Sequence, residues 1–319
     1  MRLKLVPKNT SWEFFARSKL WIGISIVLVV LSLLSFFIQS LNFGIDFRGG
    51  TSIRTESSEP IVVADYRSAL SSLDLGDITI SEVFDPNFAD DQNVAMIRIQ
   101  AQPGQEAATS TLVENSLQKL REVSEDIKFV SVESVGPKVS GELIKTAIIA
   151  VILAISAVLF YIWIRFEWQF AVGAISALIH DVILTIGIFS ALQIKFDLAI
   201  IAAILTIVGY SLNDTVVVFD RVRENLRKFK KRSLVEVMNL SINETMSRTV
   251  MTSVTTLLAL ISLFILGGDV IRGFVFAMIW GVVVGTYSSI FIASAILLWT
   301  GVKRDWSKPN AEAGTQVPQ

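Results

Sequence analysis

Six stretches of this chain stay apolar for about 20 residues at a time, the length a helix needs to cross a bilayer. They run roughly over 20–39, 143–164, 170–192, 198–219, 250–267 and 273–299. Within hydrocarbon every backbone amide must be satisfied by the protein itself, so runs of this kind fold as transmembrane helices. Composition agrees: 52% of the 319 residues are hydrophobic and the mean hydropathy is +0.58. Those are values of a polytopic membrane protein and not of a soluble globule. Cysteine is absent and His180 is the single histidine. Disulfides, thiol catalysis and Cys-ligated metals are therefore excluded, and one chain cannot build a multi-histidine metal site. There is no Walker loop and no Ser-His-Asp set with a credible nucleophile, so neither a cofactor nor an enzymatic activity is expected.

Charge gives the orientation. Basic residues collect before the first run (Arg2, Lys4, Lys8, Arg17, Lys19), between 220 and 248 (Arg221, Arg223, Arg227, Lys228, Lys230, Lys231, Arg232, Arg248) and in the tail (Lys303, Arg304, Lys308). The connections at Lys195–Asp197 and Asp269–Arg272 carry little charge. Residues 1–19, the loop 220–248 and the tail 301–319 are thus expected in the cytoplasm, in keeping with an even number of spans. The first segment, 20–41, has the basic approach of a signal peptide. It is long, however, and Gln39-Ser40-Leu41-Asn42-Phe43 is a poor processing site, so it reads as a retained anchor. Within 220–248 the reading is a basic exit facing anionic headgroups, followed by a short interfacial helix with Leu234, Val237, Met238 and Ile242 on one face. The tail is expected to be disordered.

Residues 42–141 form an acidic insert on the side opposite the N-terminus. Alternating and helical patterns follow one another through it. Strands are expected at 51–55, 78–84, 94–99 and 129–135, and helices at 61–73 and 111–123. The order βαββαβ is that of a ferredoxin-like α+β domain. Asp85-Pro86-Asn87 and Gln102-Pro103-Gly104 supply the turns. Gly49-Gly50 lacks the strand before it and the helix after it that a nucleotide loop requires, and reads as a tight turn into the first strand.

Against this apolar background a few polar residues stand out. Asn213-Asp214 lies inside the fourth run, where an ionisable side chain costs about 2.5–3.5 kcal/mol to insert and is a functional candidate by default. Asp is too short to snorkel well, and Val216, Val217, Val218 and Phe219 separate it from the loop. Tyr210, Ser211 and Val218 share its face, Thr215 adjoins it, and Gly209 with Asn213 would let a second helix approach. Arg248 opens the fifth run, with Thr252, Thr255 and Thr256 following on its face. It is either an ordinary basic anchor or the counter-charge to Asp214, and the threonines can bond to their own backbone. His180-Asp181 sits mid-way along the third run. Adjacent residues point about 100° apart, so the pair need not share a partner. A proton relay and a structural hydrogen bond between helices both fit, the latter along the stripe Gly173, Ala177, Asp181, Thr185. Gly281, Gly285 and Ser289 make a packing ridge on the last run.

The motifs together resemble the SecF branch of the SecD/SecF family of the bacterial Sec protein-export machinery. They are Gly44-Ile45-Asp46-Phe47-Arg48-Gly49-Gly50, Val135-Gly136-Pro137, Gly209-Tyr210-Ser211-Leu212-Asn213-Asp214-Thr215, Phe219-Asp220-Arg221-Val222-Arg223-Glu224-Asn225, Ser241-Ile242-Asn243-Glu244-Thr245 and Ser247-Arg248-Thr249. The resemblance implies a heterodimer with SecD, related to proton-driven exporters, that engages an unfolded exported polypeptide in the inner membrane. It also implies contact with the SecYEG translocon and YajC, protons or another coupling cation as fuel, and no nucleic acid. Asp214 and Arg248 fall at the positions the family uses for its ion path, and an acidic residue of SecD completes that path. The expected mechanism is that Asp214 takes and releases a proton as Arg248 moves relative to it, while Gly44–Gly50 and Gly136–Gly141 carry the shift to the outer domain. The competing readings are a structural scaffold for SecD and half of a small-molecule efflux pump.

Overall fold

A computed structural model describes residues 10–302 except 74, 77, 84, 86, 87, 90 and 102–109. The turn signals at Pro86-Asn87 and Gln102-Pro103-Gly104 and the tail from 303 lie outside the described residues. From the N-terminus the elements are α1 (Ser18–Gln39), the single turn α2 (Ile45–Arg48), β1 (Gly50–Ser57), α3 (Val63–Leu70), β2 (Ile78–Val83) and β3 (Asn93–Gln100). There follow α4 (Ser110–Arg121), β4 (Lys128–Val135), α5 (Pro137–Arg165), α6 (Trp168–Ala191), α7 (Leu198–Lys228) and α8 (Leu234–Leu266). Last come α9 (Asp269–Ser288), a π-helical turn at Ser289–Ala293 and α10 (Ser294–Thr300), which together form the sixth long apolar segment. The fold is a six-helix membrane bundle with an α+β ferredoxin-like domain between its first two spans.

The four strands pair antiparallel in the order β2-β3-β1-β4. Ile53 and Ile97 from the sheet, Leu70 and Leu120 from α3 and α4, and Ile127 are fully buried together. Periodicity made these elements legible because one face of each must reach that core. Gly49 and Gly50 make the turn into β1 with φ of +73° and +131°. A Cβ at Gly50 would lie 2.2 Å from the Ile99 carbonyl oxygen, so only glycine fits. On the other side, Gly136 is the N-cap of α5 and Pro137 opens it, where a missing N–H costs nothing.

The connection 220–248 differs from the expectation. It is not a loop carrying an interfacial helix. α7 continues as helix to Lys228, the turn is confined to residues 229–233, and α8 then runs unbroken from Leu234. Ser233 caps α8 in a reciprocal capping box with Glu236. Val237, Met238 and Ile242 are fully buried against Val218, Phe219 and Val222 instead of lying on a membrane surface. Of the basic residues that marked a loop, Lys230, Lys231 and Arg232 lie in the turn, and the rest lie on the outer sides of two packed helices.

α6, α7 and α9 form the inside of the bundle, whereas α1, α5 and α8 expose most of their apolar length. The interior has two apolar clusters. One, around Phe166, Phe170, Phe219 and Ile242, fills the end near the 229–233 turn. The other, around Phe189, Phe196, Ile200, Ile204 and Ile207, fills the end nearer the sheet domain. Between these clusters each inner helix carries buried polar residues: His180, Asp181 and Thr185 on α6, Ser211, Asp214 and Thr215 on α7, and Ser288 on α9. The sheet domain is stitched to this bundle. Gly44 N–H donates to the Phe196 carbonyl at 2.8 Å, Phe196 N–H to that of Asn42 at 2.8 Å, and Leu198 N–H to Asp46 Oδ2 at 3.1 Å.

Candidate functional site

The polar layer is built where small residues let three helices close on one another. A Cβ at Gly281 would lie 2.3 Å from Ile207, and one at Gly285 3.0 Å from Ser211. α9 therefore packs on α7 with almost no spacing, as the ridge in the sequence suggested. Gly173 is equally crowded by the Ala293 carbonyl and the Phe219 ring, which sets α6 against the π turn. Ser289, the third member of that ridge, is buried in the π turn.

Asp181 is the hub. Its Oδ2 accepts from Ser211 Oγ at 2.6 Å and from Ser288 Oγ at 2.8 Å, so one carboxylate ties α6 to α7 and α9. Its Oδ1 lies 3.0 Å from His180 Nδ1. The two neighbours on α6 are thus each other's partners. The 100° between adjacent positions gave no reason to expect this, and the side chains curl together across it. Nε2 of His180 is buried without a hydrogen-bond partner, and the ring stacks at 6.1 Å on Tyr287.

Asp214, 2% exposed, sits one turn from Ser211 on α7. In contrast to Asp181, its Oδ2 has no hydrogen-bond partner. Arg248 acts on this carboxylate through space, yet no ion pair within 4 Å joins the two among the described residues. Arg248 is itself exposed on α8. The ion pair that the sequence offered for these two charges is not formed among the described residues. Thr215 is buried and donates to the Ser211 carbonyl at 3.1 Å, whereas Thr252 is half-buried and donates to the Arg248 and Thr249 carbonyls. Asn213 and Gly209 face outward, and among the described residues no other element comes within 4 Å of a Cβ at Gly209. The close helix approach read from that pair is not made within the chain. Ser288 escaped the sequence reading, because a serine in a membrane helix usually bonds to its own backbone and gives no signal. A separate cavity of about 530 Å³ lies between the open face of the sheet and the adjoining helix ends, and its lining carries Arg54, Arg98, Lys195 and Arg272 together with Asp46, Glu133 and Asp197.

Residues 115–303 match the family described as protein export membrane protein SecD/SecF, C-terminal, and residues 34–61 match the SecD/SecF GG motif. A protein translocase subunit SecF of Cereibacter sphaeroides is 57% identical over 315 residues, which are 99% of this chain and 97% of that one. This chain belongs to the SecF family of protein translocase subunits. The SecF of Rhodobacter capsulatus is 56% identical over 313 residues, covering 96% and 94% of the two chains. Among solved structures, SecDF from Thermus, titled a translocon-associated membrane protein, superposes with a TM-score of 0.80 at 33% identity. SecDF in its super-membrane-facing form gives 0.69 at 34% identity. Each match covers 94% of this chain but 40% of the SecDF chain, so this SecF spans well under half of that chain's length. The GG motif is Gly49-Gly50, and its geometry explains it: the first strand cannot enter the sheet with a side chain at the second glycine. As a SecF, the protein is a subunit of a protein-export translocase and not a member of an enzyme family.

Proposed function

We propose that this SecF pairs with SecD in the bacterial inner membrane, with both termini cytoplasmic, and couples an ion gradient to the late stages of protein export. The observation that carries the reading is Asp214: a carboxyl buried mid-bundle with an orphaned oxygen and a guanidinium near but not bound. A buried unpaired charge is expensive, so a group held this way changes state when a proton or a counter-charge arrives. Arg248 moving toward Asp214 favours the carboxylate and moving away favours the acid. One elementary charge crossing 100 mV supplies about 2.3 kcal/mol, enough to bias a two-state bundle.

The exposed side of α7 supports pairing with SecD. Ala202, Thr206, Gly209 and Asn213 recur on that side at helical spacing, all exposed, and form a small-residue surface on which another helix can pack closely. SecYEG, YajC and an unfolded exported chain complete the assembly, and the sheet domain faces the chain on the outer side. The test is Asp214→Asn in cells, with gradient-dependent export measured alongside co-purification of SecD. Loss of the gradient-dependent component with normal co-purification is expected. Wild-type export removes the ion-coupling role, and lost co-purification with no coupling defect makes Asp214 part of a scaffold.

A further inference from the structure

Ser211 stands between two buried carboxyls. Its hydroxyl and that of Ser288 donate to the same oxygen of Asp181, at 2.6 and 2.8 Å, and both serines are essentially fully buried. Only Ser211 shares a helix with Asp214, three residues on, a spacing that places Cβ atoms about 5–6 Å apart on one face. A serine Oγ carries two acceptor lone pairs beside its O–H, so while it donates to one carboxylate it can accept from a protonated carboxyl on its other side. While it is turned to Asp181, Asp214 Oδ2 is left unpartnered. The other titratable groups around the layer are His180 on α6, Tyr210 on α7, Arg248 on α8 and Tyr287 on α9. The π turn Ser289–Ala293 follows Ser288 directly and keeps both Ser288 and Ser289 inward, and such widened turns recur at functional sites.

We propose that Asp181 is a second station for the coupling proton and that Ser211 passes the proton between Asp181 and Asp214. The proposal rests on the reading of Asp214 as the gradient-coupled carboxyl. In the transfer, the O–H bond of the protonated carboxyl breaks and its proton moves to Ser211 Oγ. The hydroxyl's own proton leaves for the other carboxylate, so the serine is neutral before and after. Ser211 lies about 4.5 Å nearer the sheet domain than Asp214 along the helix axis. Asp181 is accordingly the station on the sheet-domain side.

The experiment compares Ser211→Ala, Ser288→Ala, Asp181→Asn and Asp214→Asn in the SecD-containing complex, as export into inverted membrane vesicles with and without an imposed proton gradient. Ser211→Ala and Asp181→Asn should each cut the gradient-dependent component by about tenfold or more. Ser288→Ala deletes a bond of nearly equal length to the same oxygen, and should cost less than about twofold because it does not reach Asp214. Equal losses in the two serine variants mark the network as structural and overturn the proposal, as does wild-type export in Ser211→Ala. Should Ser211→Ala fail to assemble with SecD, Ser211→Thr keeps the hydroxyl and should restore coupling. Failure of that rescue also overturns the proposal. Unchanged export in Asp214→Asn fails the underlying reading instead, so the two are told apart.

Discussion

Gly50 and Asp126 show how single residues of the sheet domain answer to backbone and charge. Gly50 holds φ at +131° with the Ile99 carbonyl where a Cβ would go, so Gly50→Ala must shift either β1 or β3. We expect a loss of about 1–3 kcal/mol, read as a lower midpoint for thermal unfolding of the domain. Gly23→Ala on α1, where among the described residues no other element lies within 4 Å of the added Cβ, should leave that midpoint unchanged. Asp126 accepts from the Ser124 hydroxyl, from the Ser58 hydroxyl and backbone N–H, and from Ser57, and these donors hold its carboxyl well below the usual range. A depressed folded-state value adds stability above the unfolded carboxyl pKa of about 4 and loses it as pH falls below that. Hydrogen exchange should therefore show the 57–58 and 124–127 segments loosening as pH falls below about 4. Asp126→Asn should remove that acid dependence. Residues of this kind differ in legibility. Asp214 announced itself by the cost of putting a carboxyl in lipid and drew in Ser211 as a neighbour on its face, whereas Ser288 is an ordinary membrane serine until the fold aims it at the same oxygen as Ser211.

At the scale of elements, the α7–α9 contact sets the geometry of the polar layer. Gly281→Val would drive a branched side chain into Ile207, and overpacking of this kind typically costs about 1–3 kcal/mol. The expected result is a lower yield of folded complex and a lower melting temperature in detergent. Gly209→Val, on the open side of the same helix, should leave folding intact and reduce co-purification of SecD. Unimpaired co-purification would place the SecD contact elsewhere. The sequence located all six long helices, because about 20 apolar residues leave little choice. It misplaced the ends of α7 and α8, since charge was read as loop where it is the wet side of a packed helix. It also missed α2 and the π turn, which at 4 and 5 residues are too short to leave a periodic trace.

For the whole molecule, the orientation can be tested cleanly because the chain has no cysteine. Single cysteines at Lys231, in the turn between α7 and α8, and at Ser72, on the sheet domain, should label from opposite faces of the membrane. A membrane-impermeant maleimide reaching Ser72→Cys in intact spheroplasts but Lys231→Cys only after lysis is the expected pattern. Labelling of both from one side would reverse or refute the topology.

The seam between Asn42–Asp46 and Phe196–Leu198 has a mechanical consequence. Two of its three hydrogen bonds hold Phe196, just before α7, and the third holds Leu198, its first residue; the same rigid rod carries Asp214 sixteen residues further on, about 24 Å away. Tension on the sheet domain therefore enters the bundle through the amide of Leu198 and not through a slack tether. At about 1 kcal/mol each the three bonds total about 3 kcal/mol, close to the 2.3 kcal/mol released when one charge crosses 100 mV. Under the proposed ion coupling, a joint of that strength would transmit one ion's stroke and slip when the load exceeds it, which would make the seam a torque-limiting clutch.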